Sequence, residues 1–220
     1  QLRNWGIDFV HGDILDKDLV NKYCKDADIA HHLAGITDVP RLKSESSDDK
    51  DAKIKLVAEE GTQNILDAIS NKCKIIFPST HVVYEGIEKV KNDILEDEHT
   101  KPILSYANSK TINEKQLKNS GKNYIILRLG SVYGYSTDTT RIDIMPNLFS
   151  KIASQDGTLK LFAGGRQVKN LVPLVDVARC FKYMEERDDI SSEIFNLSKD
   201  TVTVKEVAEI CKKYNPKISL

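Results

Sequence analysis

The 220 residues hold 32 Lys and Arg against 33 Asp and Glu, a formal net charge of -1, and 40% of them are hydrophobic. That balance gives no electrostatic reason to expect nucleic acid or a membrane surface as partner, and no apolar run approaches the roughly 18 residues needed to span a bilayer. Small molecules or other proteins are the expected partners, around a core that this hydrophobic share can fill.

Cys24, Cys73, Cys180 and Cys211 are scattered without any Cys-x-x-Cys spacing, so neither a metal site nor a disulfide framework is expected, and a cytoplasmic setting fits. Gln1-Leu2-Arg3-Asn4-Trp5 lacks the apolar stretch of a signal peptide, and a chain opening without Met is expected to be a piece whose start lies upstream.

Along the chain, strand and helix alternate. Ile7 to Val10 reads as a short strand, followed by Gly12-Asp13-Ile14 and by Asp16 as the cap of a helix from about Lys17 to Lys25. Asp28 to Gly35 is an apolar run without polar alternation, expected to be a central strand covered on both faces, with His31 and His32 packed in it. A polar loop from Arg41 to Lys53 leads into a helix over Ile54 to Ile69. Lys74 to Pro78 is the next strand and runs into Ser79-Thr80-His81-Val82-Val83-Tyr84, where hydroxyls crowd a strand end. In open α/β sheets, ligands sit outside such carboxyl ends. Glu85 to Pro102 reads as a solvated acidic loop without chemistry.

Ser105 or Tyr106 opens a helix to about Asn119, and Asn123 to Leu129 is β-rich. This helix carries Tyr106 and Lys110 at i and i+4, a phenol and an ammonium on one face. With eight Tyr in the chain, about one such pair arises by chance, so its neighbours must decide its meaning. Beyond Gly134, Met145 to Ser154 reads as helix, Leu159 to Ala163 as extended, Gly164-Gly165 as a turn and Val168 to Val172 as extended. Val175 to Glu186 is helical, Ser192 to Leu197 the last strand, and Thr203-Val204-Lys205-Glu206 is a capping box opening a last helix to about Tyr214.

Four stretches together carry a resemblance: Gly12-Asp13-Ile14, His32-Leu33-Ala34-Gly35, Ser79 to Tyr84, and Tyr106-Ala107-Asn108-Ser109-Lys110. Gly61-Thr62-Gln63-Asn64, Arg128 to Gly134 and Val172 to Ala178 add to it. The chain resembles an extended short-chain dehydrogenase/reductase of the NAD-dependent epimerase/dehydratase group. The resemblance implies an α/β Rossmann-like fold, a doubly wound parallel sheet lacking its first βαβ unit. It also implies a partial cofactor-binding domain over residues 1–134 and a smaller, incomplete substrate region over residues 135–220.

The resemblance assigns catalysis to Thr80, Tyr106 and Lys110, and NAD, with NADP the alternative, to Asp13, Ile14, Leu33, Ala34, Gly35, Leu129, Gly130 and Val132 besides Tyr106 and Lys110. Asp13 would meet the adenine amino group and Ile14 the ring. The substrate, a nucleotide sugar, would meet His81, Ser131 and Lys169. Ser131 stands where many such enzymes have Asn, Lys169 near a diphosphate-binding Arg, and Ala58 in place of a common Asn.

Family members that remove water from a sugar carry an acidic pair directly after the catalytic Thr, and here those positions are His81 and Val82. Epimerase chemistry is therefore expected, with a reductase or dehydratase as alternative and a non-catalytic dinucleotide sensor or assembly protein as the reading of another class. A homodimer is the expected assembly. No Gly-x-x-Gly-x-x-Gly turn, which in the family holds the cofactor pyrophosphate, occurs in the sequence.

Overall fold

The computed structural model describes residues 2–37, 47–88, 91–136 and 141–220. It forms two compact units, residues 1–126 with 189–193 and residues 127–188 with 194–220. In the first unit, a 3-10 turn at Leu2–Trp5 precedes α1 (Lys17–Cys24), whose cap Asp16 accepts the Leu19 amide at 3.0 Å. Then follow β1 (Ile29–His31), α2 (Asp48–Ala68), β2 (Lys74–Thr80), a 3-10 turn at His81–Tyr84, and α3 (Ser105–Asn119). β3 (Asn123–Leu129) starts in this unit and ends in the second.

β1 runs parallel to β2, with Ala30 opposite Ile75, and β3 is the next neighbour of β2. Ile75, Ile76 and Phe77 are completely buried in succession, the mark of a strand covered on both faces. α2 packs against α1 and α3 and buries Ile54, Ile65 and Leu66. Ser47 caps α2, and Asp48, Asp49 and Asp51 lie in its first turn, where negative charge meets the positive end of the helix dipole.

In the second unit come the end of β3, β4 (Ser131–Tyr133), α4 (Met145–Ser154), β5 (Val168–Pro173), α5 (Leu174–Glu185), β6 (Glu193–Leu197), β7 (Asp200–Thr203) and α6 (Val204–Tyr214). β6 follows β3 in strand order, while β4, β5 and β7 form a second sheet, parallel between β4 and β5 and antiparallel between β5 and β7. Phe149, Leu159, Leu171, Val207, Ala208 and Ile218 pack together as its core. The capping box at Thr203 and Glu206 is complete, and it opens α6.

Several elements depart from the sequence expectation. Ile7 to Val10 forms no strand: no described residue ladders with it, and Ile7, Phe9 and Val10 stay exposed. The run from Asp28 to Gly35 shrinks to the three residues of β1, which stands at the end of the strand order instead of its centre. Leu33 is 63% exposed, so both faces of that run are not covered. α2 begins at Asp48 and not at Ile54, because acidic residues suit a helix start; residues 41–46 of the expected loop lie outside the described ones. Of Leu159 to Ala163, the Leu159 amide donates to the Ser219 carbonyl and Leu161 is extended, but Phe162–Gly165 forms a turn with left-handed backbone at Ala163 and Gly164. β4 and β7 were not expected; strands this short carry little periodicity.

Candidate active site

α3 presents the Tyr-Lys pair. It has no side-chain cap at Leu104; instead the Glu85 carboxylate accepts the amides of Ile103 and Leu104, both at 2.8 Å. Glu85, which the sequence placed in a solvated loop, thus fixes the chain where it enters the helix. One turn in, Ser109 donates its hydroxyl to the Tyr106 carbonyl at 2.8 Å. Tyr106 is half-buried, and the Lys110 ammonium lies 5.8 Å from the centre of its ring.

Lys110 is only 8% exposed. Its Nζ donates to the Pro78 carbonyl at 2.9 Å and sits 4.4 Å above the Phe77 ring. Burial pulls its pKa down to about 8, against an upward pull from Glu114. At pH 7 about nine-tenths of it remains an ammonium.

Thr80 ends β2, buried, and its hydroxyl accepts the Val82 amide at 3.4 Å, capping the 3-10 turn that carries half-buried His81. β2 therefore supplies Pro78 to hold Lys110, Ser79 to hold Glu114 at 2.6 Å, and Thr80 at its end.

A second buried network braces the same elements. His32 Nε2 meets the Thr62 hydroxyl at 2.8 Å, and Asn113 Nδ2 donates to that hydroxyl at 2.9 Å and to the Ala58 carbonyl at 2.8 Å. His32 packs on Phe77 with ring centres 5.3 Å apart, and Nδ1 has no hydrogen-bond partner among the described residues. Burial, helped by the Lys110 charge, pushes its pKa down to about 4, so it is neutral at pH 7. It is a packing residue that also bridges β1 to α2 and α3.

Asp13 and Ile14 lie on the wall of an open cavity of about 1010 Å³ in the first unit, together with Gly12 and Leu19. Asp13 is exposed and turns the chain into α1 by accepting the Leu15 amide at 2.9 Å. Ile14 is held from α2: Asn64 donates to its carbonyl at 3.0 Å, and its side chain covers Gly61, where a Cβ would stand 2.8 Å from Ile14 Cγ2. The Gly61-Thr62-Gln63-Asn64 stretch thereby acquires its physical meaning. Leu33, Ala34 and Gly35 follow β1 and are exposed.

Leu129, Gly130, Ser131, Val132 and Lys169 belong to the second unit. The Gly130 amide donates to the Leu197 carbonyl at 2.8 Å, and a Cβ there would come within 2.9 Å of the Asn170 carbonyl oxygen, so only glycine fits between β6 and β5. Ser131 pairs with Leu171 and Lys169 with Val202; Lys169 is exposed.

The model of the NAD dependent epimerase/dehydratase family matches residues 2–198. The chain belongs to this family. A relative from Methanocaldococcus jannaschii, "Putative UDP-glucose 4-epimerase", is 28% identical over 179 residues, 78% of this chain and 57% of that protein. The chain thus spans little more than half the length of this curated relative. UDP-glucose 4-epimerase of Thermotoga maritima, solved with UDP-glucose, superposes with a TM-score of 0.81 at 22% identity, covering 99% of this chain and 72% of that one. UDP-glucuronic acid 4-epimerase of Bacillus cereus, in complex with a UDP-sugar and NAD, gives 0.80 at 25% identity, covering 97% and 67%.

Within this epimerase/dehydratase family member, sequence reasoning missed Glu85, Asn113 and Glu114. Glu114 continues the Tyr106 and Lys110 series at i+4, a signal that was available. Glu85 and Asn113 gave none, because the amides that Glu85 accepts and the Ala58 carbonyl and Thr62 hydroxyl that Asn113 reaches lie 18 and more residues away.

Proposed function

We propose that the protein is an NAD-dependent epimerase of nucleotide sugars, with Thr80, Tyr106 and Lys110 as its catalytic residues. The observation that carries this reading is the buried ammonium of Lys110, held by the Pro78 carbonyl one helical turn from Tyr106. The relatives named above, whose names specify UDP-glucose or UDP-glucuronic acid, supply the substrate class, a uridine diphosphate hexose.

A secondary alcohol must lose its hydroxyl proton as its carbon is oxidised, and a free Tyr, with pKa about 10, is a poor base for this at neutral pH. An ammonium nearby favours the phenolate; lowering the phenol by about three pK units takes roughly 4 kcal/mol, within reach of a charge in a closed site. Tyr106 then takes the proton and later returns it, while Thr80 hydrogen-bonds the same oxygen and fixes its position. When bound, the nicotinamide ring supplies the hydride acceptor and donor that this reversible oxidation needs.

The residues present fit that cofactor in part. An exposed carboxylate at Asp13 beside the Ile14 side chain, on the wall of an open cavity, suits an adenine. Ala34 and Gly35, exposed and small beyond the end of β1, leave room for a closely approached ribose, and the exposed Leu33 side chain stands beside them. Leu129, Gly130 and Val132 would line the nicotinamide side, and His81, Ser131 and Lys169 the substrate. His81 and Val82, where dehydratases carry an acidic pair, favour epimerisation over loss of water.

The test is to give the protein NAD and, in turn, UDP-glucose and UDP-glucuronic acid, and to follow the C4 proton by NMR. Appearance of the 4-epimer is expected. Tight binding of a nucleotide sugar without conversion would favour a non-catalytic binding protein, and formation of a 4-keto-6-deoxy sugar a dehydratase.

A further inference from the structure

Glu114 stands on α3 one turn beyond Lys110, as Lys110 stands one turn beyond Tyr106. It is 2% exposed, and a carboxylate is almost never so buried unless it is partnered. Its Oε1 accepts the Ser79 hydroxyl at 2.6 Å. Ser79 directly precedes Thr80, so this bond ties the end of β2 to the helix of Tyr106 and Lys110.

Among the described residues, the Pro78 carbonyl and Phe77 ring of β2 and the Tyr106 ring of α3 stand at the Lys110 ammonium, while Glu114, one turn further along α3, and His32 after β1 are near enough to interact with its charge. His32 is neutral at pH 7. Burial acts against the ammonium, and Glu114 acts for it.

We propose that Glu114 is a positioning residue of this site: its carboxylate, fixed by Ser79, supplies the counter-charge that keeps Lys110 an ammonium beside Tyr106. The consequence for turnover rests on the catalytic reading of Tyr106 and Lys110, whereas the charge relation does not. A purely architectural Glu114 need only offer Ser79 an acceptor. Gln offers that acceptor without the charge, so Glu114→Gln separates the two roles.

The measurement is the pH titration of the Lys110 ¹³Cε resonance in the whole chain, assigned by its disappearance in Lys110→Met. The midpoint, near 8 in the unaltered protein, is expected to fall by about one pH unit in Glu114→Gln and by less in Glu114→Asp, which keeps the charge. An unmoved midpoint in folded Glu114→Gln overturns the proposal. The unaltered protein gives a second reading free of any folding defect: the Glu114 ¹³Cδ resonance should step at the Lys110 midpoint, and a flat ¹³Cδ trace there overturns it equally. If the protein is an epimerase, the alkaline limb of kcat/KM moves to lower pH by the same amount. A moved midpoint in a protein that converts no nucleotide sugar sinks the epimerase reading and leaves the Glu114 relation standing.

Discussion

At the scale of single residues, two buried bases are held in opposite states by the same surroundings. Lys110 remains mostly charged at pH 7 although burial lowers it, and His32, packed on the same Phe77 ring, is kept neutral. The neutrality of His32 makes stability depend on pH. Its folded pKa, about 4, lies below its unfolded value of 6.5, so between these values the unfolded chain binds a proton that the folded one refuses. The resulting penalty is absent above pH 6.5 and fully developed below 4; urea unfolding should show a loss of about 2 kcal/mol between pH 7 and pH 5 from this residue. His32→Gln, which keeps an amide for Thr62, is expected to lack that part of the slope. For Tyr106→Phe, the lost hydroxyl should cut turnover by about 10²–10⁴-fold while cofactor affinity in the full-length protein stays as it was, measured by steady-state kinetics and calorimetry. Undiminished turnover would refute the proposed proton transfer. The sequence offered Tyr106, Lys110 and Thr80 as candidates only through the family resemblance, which local motifs of fixed order and spacing carry. It could not single out Glu85, whose carboxylate works on amides at Ile103 and Leu104 across a loop.

At the scale of elements, α2 is the brace between the proposed cofactor and catalytic residues of the first unit. From a single turn it sends Thr62 to His32 and Asn113, and Asn64 to the Ile14 carbonyl, while Gly61 leaves room for the Ile14 side chain. Gly61→Ala would bring a methyl to within 2.8 Å of Ile14 Cγ2. Overpacking of this kind costs about 1–3 kcal/mol, and thermal unfolding should show it despite the gain in helix propensity. Unchanged stability would mean that Ile14 does not pack as described. The helices themselves were legible because caps and apolar spacing are written locally: α3 and α4 lie within the bounds the sequence predicted, and the capping box at Thr203 opens α6. Strands were less so. A strand is completed by its neighbours, and Ile7 to Val10, β-rich in composition, has none among the described residues.

For the whole molecule, the order of motifs along 220 residues carries the family, and the model of that family matches residues 2–198. The same sequence has no Gly-x-x-Gly-x-x-Gly turn to receive a pyrophosphate on helix amides. Calorimetry of this 220-residue chain with NAD is therefore expected to give only weak binding, in the millimolar range, about -4 kcal/mol. Micromolar binding would show that the phosphates are held by residues not considered for that role. What the sequence by itself determined was the alternation of helix and strand and the α/β class, because these follow from periodicity and capping within a few positions, while its ordered motifs carried the resemblance that names the candidate site residues. What only the tertiary structure decided was how far each strand extends, that β1 stands at the end of the described strand order, and that Pro78 receives the Lys110 ammonium while Ser79 holds Glu114. Those depend on burial and on partners 30 or more residues away, and no local pattern encodes such distances.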